Sequence, residues 1–345
     1  MVHPTPPPPP QVEPLDTILR RGPPAGDVPA GLAALRYKVL VDGIPSNSDG
    51  MSDHRIYTWL ILLNAPPLPT DTYLDLVRQG ASPAHAKIRN DTFRTLATDP
   101  LFRRRVTENS LTRVLNAASW KLLDAHEARV GGWIRSPDAS FSEEDGGRGT
   151  RSQRASLAGS AAGSTAGEDK SAYVGYVQGM NVLAAPFLYT ARSEAEAFVA
   201  FDALLRHELP GYIRGSMEGV HAGVRLVDEV LAVCDPKLYS HLLSRGLRAE
   251  VYAFPSVLTL CACTPPLPEV LALWDFLLAC GVHLNVVAVV AQLVLIREQV
   301  LGAESPNQIL RSFPPLQAGK IKALTISFVA RLPDELYRRL IEHVR

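Results

Sequence analysis

The sequence has little that would hold a metal, cross a membrane or cleave a bond unaided. Its 345 residues include only four cysteines, Cys234, Cys261, Cys263 and Cys280, and no Cys-x-x-Cys pair. Cys261 and Cys263 lack a second pair or nearby histidines, which argues against zinc. The four read as buried free thiols in a reducing compartment. The longest apolar run, 286–296, is interrupted by Gln292, and at about 11 residues it falls short of the roughly 20 that a membrane span needs. It reads as a buried core helix. Lys plus Arg and Asp plus Glu both total 35, so the formal net charge is zero. Nothing in that balance attracts nucleic acid or an anionic membrane surface. There is no Walker-type glycine loop, no Gly-x-Ser-x-Gly elbow and no metal-ligand cluster, so the chain is not expected to be a hydrolase in its own right and no cofactor is expected. His207, His221, His241 and His283 are scattered and read as ordinary surface or core residues. No strand-like alternation with hairpin turns occurs. No apolar leader opens the chain; Pro6 to Pro10 run together near its start, and proline runs favour an extended, solvated backbone.

What is present is helical periodicity. Leu111, Val114, Leu115, Ala118 and Leu122 form one stripe, the mark of an amphipathic helix. Ser193 to Glu196 reads as a capping box, and Asp235-Pro236 as a helix start. Helices are also expected over 53–63 with Asp53 as N-cap, over 286–301 capped by Asn285, and near 317–330 and 334–344. Pro255 should kink or start a helix. The fold class is therefore all-α. Residues 1–30 read as a proline-rich disordered tail, 31–303 as one catalytic-scale domain, and 304–345 as C-terminal helices packing on it. Within the domain, 136–170 is Ser/Ala/Gly-rich with almost no large apolar residue. It reads as a disordered insert in a surface loop.

Two short stretches carry chemistry. The first is Lys87-Ile88-Arg89-Asn90-Asp91-Thr92-Phe93-Arg94-Thr95-Leu96. Helical spacing puts Asp91 and Arg94 on one face, where the carboxylate can orient the guanidinium. A guanidinium so held can pair with two phosphate oxygens at once. The second stretch is Tyr176-Val177-Gln178-Gly179-Met180-Asn181. Gln178 can donate and accept, which suits orienting a water. An arginine plus a water-positioning glutamine is what GTP hydrolysis requires. Taken singly, the Asp91/Arg94 pair would be a surface ion pair worth under about 1 kcal/mol, and the Tyr-x-Gln a packed polar pair. Arg55 and Trp59, four apart, are expected to stack on one helix face. The triplet Arg103-Arg104-Arg105 reads as a solvated basic face or as an attractor of an acidic partner.

Arg55-x-x-x-Trp59, Ile88-x-x-Asp91-x-x-Arg94 and Tyr176-x-Gln178-Gly179 occur in that order. Together they resemble the three signature motifs of the TBC domain, the GTPase-activating domain for Rab-type small GTPases. The resemblance covers roughly residues 32–300. It implies a multi-helix fold of two helical subdomains and an activity supplied in trans to a small Ras/Rab-like GTPase bound to GTP. It implies Arg94 as an arginine finger and Gln178 as a glutamine finger, with Tyr176 bracing the latter. Asp91 and Arg55 would hold the arginine and its helix, with Ile88, Trp59 and Gly179 in support. The stretch from Glu250 to Ala262, with Leu273-Trp274-Asp275, is similar to the fungal mitotic-checkpoint branch. That similarity implies a cytoplasmic protein associated with the spindle pole body and cytoskeleton. There it would pair with a non-catalytic subunit to restrain mitotic exit and septation. A stand-alone Rab activator in vesicle trafficking and a non-catalytic TBC scaffold are the alternatives.

Overall fold

A computed structural model describes residues 13–66, 70–133, 175–214 and 216–345. Among them every regular element is helical. The expected insert at 136–170 and residues 1–12 lie outside the described residues.

Order begins earlier than the boundary expected at residue 30. Helix α1 (Leu15–Arg21) buries Leu15, and Ile18 and Leu19 pack beside it. These three sit at i, i+3 and i+4, a stripe that the surrounding prolines masked in the sequence. The stripe lies against α2 (Val28–Asp42), whose N-cap Asp27 accepts from the Ala30 N–H at 3.0 Å. Next come α3 (Arg55–Leu62), α4 (Thr70–Arg78), α5 (His85–Thr92), α6 (Pro100–Arg105) and the long α7 (Glu108–Trp133). The second part of the chain forms α8 (Met180–Thr190), α9 (Glu194–Ala203), α10 (Pro210–Ile213), α11 (Glu218–Cys234) and α12 (Pro236–Ser244). It continues as α13 (Ala249–Tyr252), α14 (Phe254–Leu258), α15 (Leu267–Cys280), α16 (Asn285–Leu295), α17 (Arg297–Gly302), α18 (Pro306–Arg311), α19 (Ala318–Val329) and α20 (Asp334–Glu342).

Packing falls into two groups. Helices α4, α5, α8 and α9 surround α7, while α11 and α19 surround α16. Helix α15 touches α2, α3, α8 and α19 and so joins the groups through one continuous core. The apolar run is buried on all sides, as expected: Val286 to Ala291 and Leu293 are fully enclosed. Each valine and the leucine contribute roughly 1.5–3 kcal/mol, and each alanine methyl less than about 1 kcal/mol. The run is broken at Ile296, where the chain leaves helical geometry before α17.

Several local expectations change. Helix α3 starts at Arg55, and its N-terminus carries no side-chain cap, so Asp53 does not cap it. Asn285 is the first residue of α16 and does not cap it. Its Nδ2 donates to the Ser256 carbonyl at 3.0 Å, and its Oδ1 accepts from the Cys261 thiol. It thus ties α16 to α14 and to the turn that follows α14. Ser193 and Asp235 do cap α9 and α12, and Pro255 lies in the first turn of α14. Cys234 and Cys261 are buried free thiols, whereas Cys263 is exposed. No helix among the described residues is long and apolar enough to cross a membrane.

Candidate functional site

The two motif stretches meet where α5 ends and α8 begins. Ile88 is fully buried and anchors α5 against its neighbours. The helix stops at Thr92, and the chain continues as turns in which the Arg94 N–H still reaches the Asp91 carbonyl at 3.3 Å. Arg94 is therefore carried on a turn beyond the helix end rather than on the helix. On the opposite side, Gly179 takes φ +106° immediately before α8. A Cβ there would sit 2.7 Å from a Leu258 methyl carbon, so glycine is required both by conformation and by space.

Asp91 is the hub. Its Oδ1 accepts from Arg94 Nε at 3.1 Å and from Arg94 Nη2. Its Oδ2 accepts from the Tyr176 hydroxyl at 2.7 Å. The Asp91 side chain is only 6 % exposed, whereas that of Arg94 is 53 % exposed. One end of the arginine is held and the rest faces solvent. In that position the ion pair contributes little stability; its effect is to orient the guanidinium. Burial, followed by the hydrogen bond to Asp91, pushes the Tyr176 hydroxyl well above its ordinary range. The phenol stays protonated and keeps donating.

Asp91, Arg94, Tyr176 and Gln178 line one open hollow of about 490 Å³, whose rim includes Lys87 and Met217. Gln178 is exposed, and its amide has no hydrogen bond among the described residues. Lys87 and Arg94 against Asp91 leave the lining of the hollow one positive charge in excess. The arrangement offers an incoming anion a guanidinium and a carboxamide lining one hollow. Among the described residues no cluster has the makings of a metal site.

Arg55 and Trp59 lie elsewhere. The guanidinium does not stack on the indole and does not reach Asp91. Arg55 Nε and Nη2 each donate to the Asp275 carboxylate at 3.0 Å, and Nη1 donates to the Gly50 carbonyl. Trp59 Nε1 donates to the same carboxylate at 2.8 Å. Burial raises the Asp275 carboxyl, and Arg55 and Trp59 oppose that rise. Trp59 also meets Phe187 edge-on at 5.5 Å, and Phe187 meets Trp274 at 5.3 Å. This motif therefore staples α3 to α15 and α8; it supports the site only through α8. The basic triplet is not a uniform face either. Arg105 donates to the Tyr189 and Ala191 carbonyls at the end of α8, and Arg104 pairs with Asp49.

Three residues here carry no role in the sequence reading. Phe93, beside Arg94, is 65 % exposed. Thr95 and Asn181 are buried and hydrogen-bonded to each other at 2.8 Å. The only sequence signal for them was their position inside the two stretches, immediately before and after Arg94 and three residues past Gln178.

Comparison with known proteins bears on this site. The family described as the Rab-GTPase-TBC domain matches residues 169–301. Cell division control protein 16 of Schizosaccharomyces pombe is 43% identical, over 90% of this chain and 88% of its own length. Mitotic check point protein BUB2 of Saccharomyces cerevisiae is 35% identical, over 91% of this chain and 92% of its own. Among solved structures, the Ypt/Rab-GAP domain of Gyp1p superposes with a TM-score of 0.60 at 17% identity, covering 87% of this chain and 92% of that one. The TBC domain of a Chlamydomonas flagellar RabGAP gives a TM-score of 0.55 at 18% identity, covering 91% of each chain. At such identities the two structures speak for the fold alone.

Proposed function

This chain belongs to the Rab-GTPase-TBC family, and we propose that it accelerates GTP hydrolysis by a small Ras/Rab-like GTPase through Arg94 and Gln178. The observation that carries the proposal is their shared setting. A half-exposed arginine held at one end and an exposed glutamine line the same positively charged hollow. Phosphoryl transfer is governed by positioning and charge stabilisation, so two lent side chains suffice to speed it. Arg94 would neutralise charge developing on the transferred phosphoryl oxygens. Gln178 would orient the attacking water. Asp91 and Tyr176 hold Arg94, and Ile88 and Gly179 hold the two backbones; Arg55 and Trp59 brace the scaffold.

The GTPase served would be one that triggers mitotic exit and septation, and this chain would restrain it by switching it to the GDP state. The two full-length relatives, a division control protein and a mitotic check point protein, support that reading. The resemblance to their branch also supports a second, non-catalytic subunit and a place at the spindle pole body and cytoskeleton.

Single-turnover GTP hydrolysis by a panel of mitotic-exit and Rab-type GTPases tests this, with and without a candidate partner chain. The wild type should accelerate one member on the order of 10³- to 10⁵-fold. Arg94→Ala and Arg94→Lys should both abolish that gain, since an ammonium cannot bridge two phosphate oxygens. Gln178→Ala should weaken it to a degree set by whether the GTPase's own glutamine substitutes. Binding without acceleration throughout the panel would move the function to a scaffold.

A further inference from the structure

Besides the Tyr176–Asp91 contact, a second set of hydrogen bonds joins the two segments through a pair of side chains with no part in the chemistry above. Asn181 Oδ1 accepts from the Gly179 N–H at 3.1 Å, the residue directly after Gln178. Asn181 Nδ2 donates to Thr95 Oγ1 at 2.8 Å, the residue directly after Arg94. Thr95 Oγ1 in turn donates to the Asp91 carbonyl at 2.8 Å. The circuit closes on the far side, where the Tyr176 hydroxyl donates to Asp91 Oδ2 and lies 3.2 Å from Asn181 Oδ1. Thr95 and Asn181 are both buried.

We propose that Thr95 and Asn181 are positioning residues that set Arg94 and Gln178 at a fixed separation and orientation, so that the two act on a bound nucleotide as one rigid unit. This rests on reading Arg94 and Gln178 as the groups that act on GTP.

The chemistry of the pair fits that role. A carboxamide presents an acceptor and a donor on one short arm. Here the acceptor pins one finger's backbone and the donor reaches the other's. Aspartate in its place would lose the donor and set a second carboxylate beside the Asp91–Tyr176 contact. The threonine hydroxyl both accepts from Asn181 and donates to Asp91, and so passes the restraint to the residue that holds the Arg94 guanidinium. Neither side chain touches the hollow; each acts through its neighbour. A network satisfied at every atom is rigid, and losing one member loosens the rest.

The test compares Thr95→Val, which keeps shape and removes the hydroxyl, with Thr95→Ser, which restores it. The assay uses the full chain and whichever GTPase of the panel the wild type accelerates. Thr95→Val should lower the maximal activated rate about 10- to 100-fold, the scale of a misplacement of about 1 Å, with little change in KM for the GTP-bound GTPase. Thr95→Ser should recover most of the rate. Amide exchange supplies a readout apart from activity: Thr95→Val should speed exchange at the Gly179 N–H, on the other segment, while amides of α16 stay protected. An unchanged rate in Thr95→Val, in a chain that loses activity on Arg94→Ala, overturns the positioning role and leaves the activator reading standing. Equal slowing by Thr95→Val and Thr95→Ser, or protection lost throughout the chain, also overturns it, by showing a general packing role. A wild type inert on every GTPase overturns both readings, and the wild-type rate alone identifies that case.

Discussion

The Tyr176 hydroxyl reaches across 85 positions of sequence to donate to Asp91 Oδ2 at 2.7 Å. It occupies the carboxylate oxygen that Arg94 leaves free, so the aspartate holds the arginine from one side and is itself held from the other. Tyr176→Phe should therefore strand a buried carboxylate oxygen. We expect a stability loss of about 1–3 kcal/mol, read from urea unfolding. Activation of the GTPase should fall on the order of 10-fold or more as Arg94 loses its fixed geometry. A variant with wild-type rates would show that Arg94 is oriented by Asp91 alone.

Phe93 lies beside Arg94 with 65 % of its surface in water. It also borders two further hollows, one shared with Phe102 and Leu111 and one with Arg89 and Glu108. An aromatic ring raised beside the arginine is placed to be covered when a GTPase docks. Burying it would be worth roughly 1.5–3 kcal/mol. Phe93→Ala should raise KM for the GTP-bound GTPase about 10-fold or more, leave the maximal rate near wild type, and leave the melting temperature unchanged. A lower maximal rate at constant KM would mean instead that the ring shapes the Arg94 turn.

Arg55 and Asp275 form a pair enclosed on both sides, with side chains 1% and 5% exposed. Asp275→Asn should leave the guanidinium buried without its counter-charge, at a cost of about 3–5 kcal/mol. The cost should be visible as a lowered urea midpoint with unchanged slope. The folded fraction should still activate the GTPase, because neither residue lines the hollow. Loss of activity without loss of stability would place the pair in the site after all.

The C-terminal helix gives the fold an acid limit. His343 Nδ1 faces the Leu340 carbonyl, so Nε2 is left to accept from the Tyr212 hydroxyl at 3.1 Å. Burial lowers the His343 ring from 6.5 to about 4, and burial with the nearby Arg345 charge does the same to His283. Below pH 6.5 the unfolded chain takes up protons that the folded chain refuses. The stability contributed by the neutral rings is thus fully present above pH 6.5 and is lost as pH falls toward 4. The loss should reach on the order of 3 kcal/mol per ring. Thermal melts across that window should show the decline, and His343→Gln should remove about half of it, leaving the share of His283. A decline that persists unchanged would assign it to carboxylates instead.

Much of the fold was legible because helices are written in local period. The stripe of α7, the apolar run of α16, the caps at Ser193 and Asp235 and the helix start at Pro255 depend on residues within a few turns of each other. The two motif stretches were legible for a related reason: Asp91 and Arg94, and Tyr176 and Gln178, stand at short spacings. Where composition competed with period, composition misled. The prolines around residues 6–29 hid the Leu15, Ile18 and Leu19 stripe.

What the sequence by itself determined, then, is the all-helical class and the two short stretches whose polar side chains line one hollow. Only the tertiary structure decided which long-range partner each polar group found. Arg55 had a tryptophan four residues away and instead took a carboxylate 220 positions on, because a buried guanidinium is stabilised more by a charge than by a ring face. Asn285 stood where a helix cap is expected and was used to tie turns near Ser256. Asn181 and Thr95 were paired across 86 positions, joining the two motif stretches. Such pairings have no sequence period. They follow from which segments the packed core brings within side-chain reach of each other, and from the cost of leaving any of those groups unpaired once water is excluded.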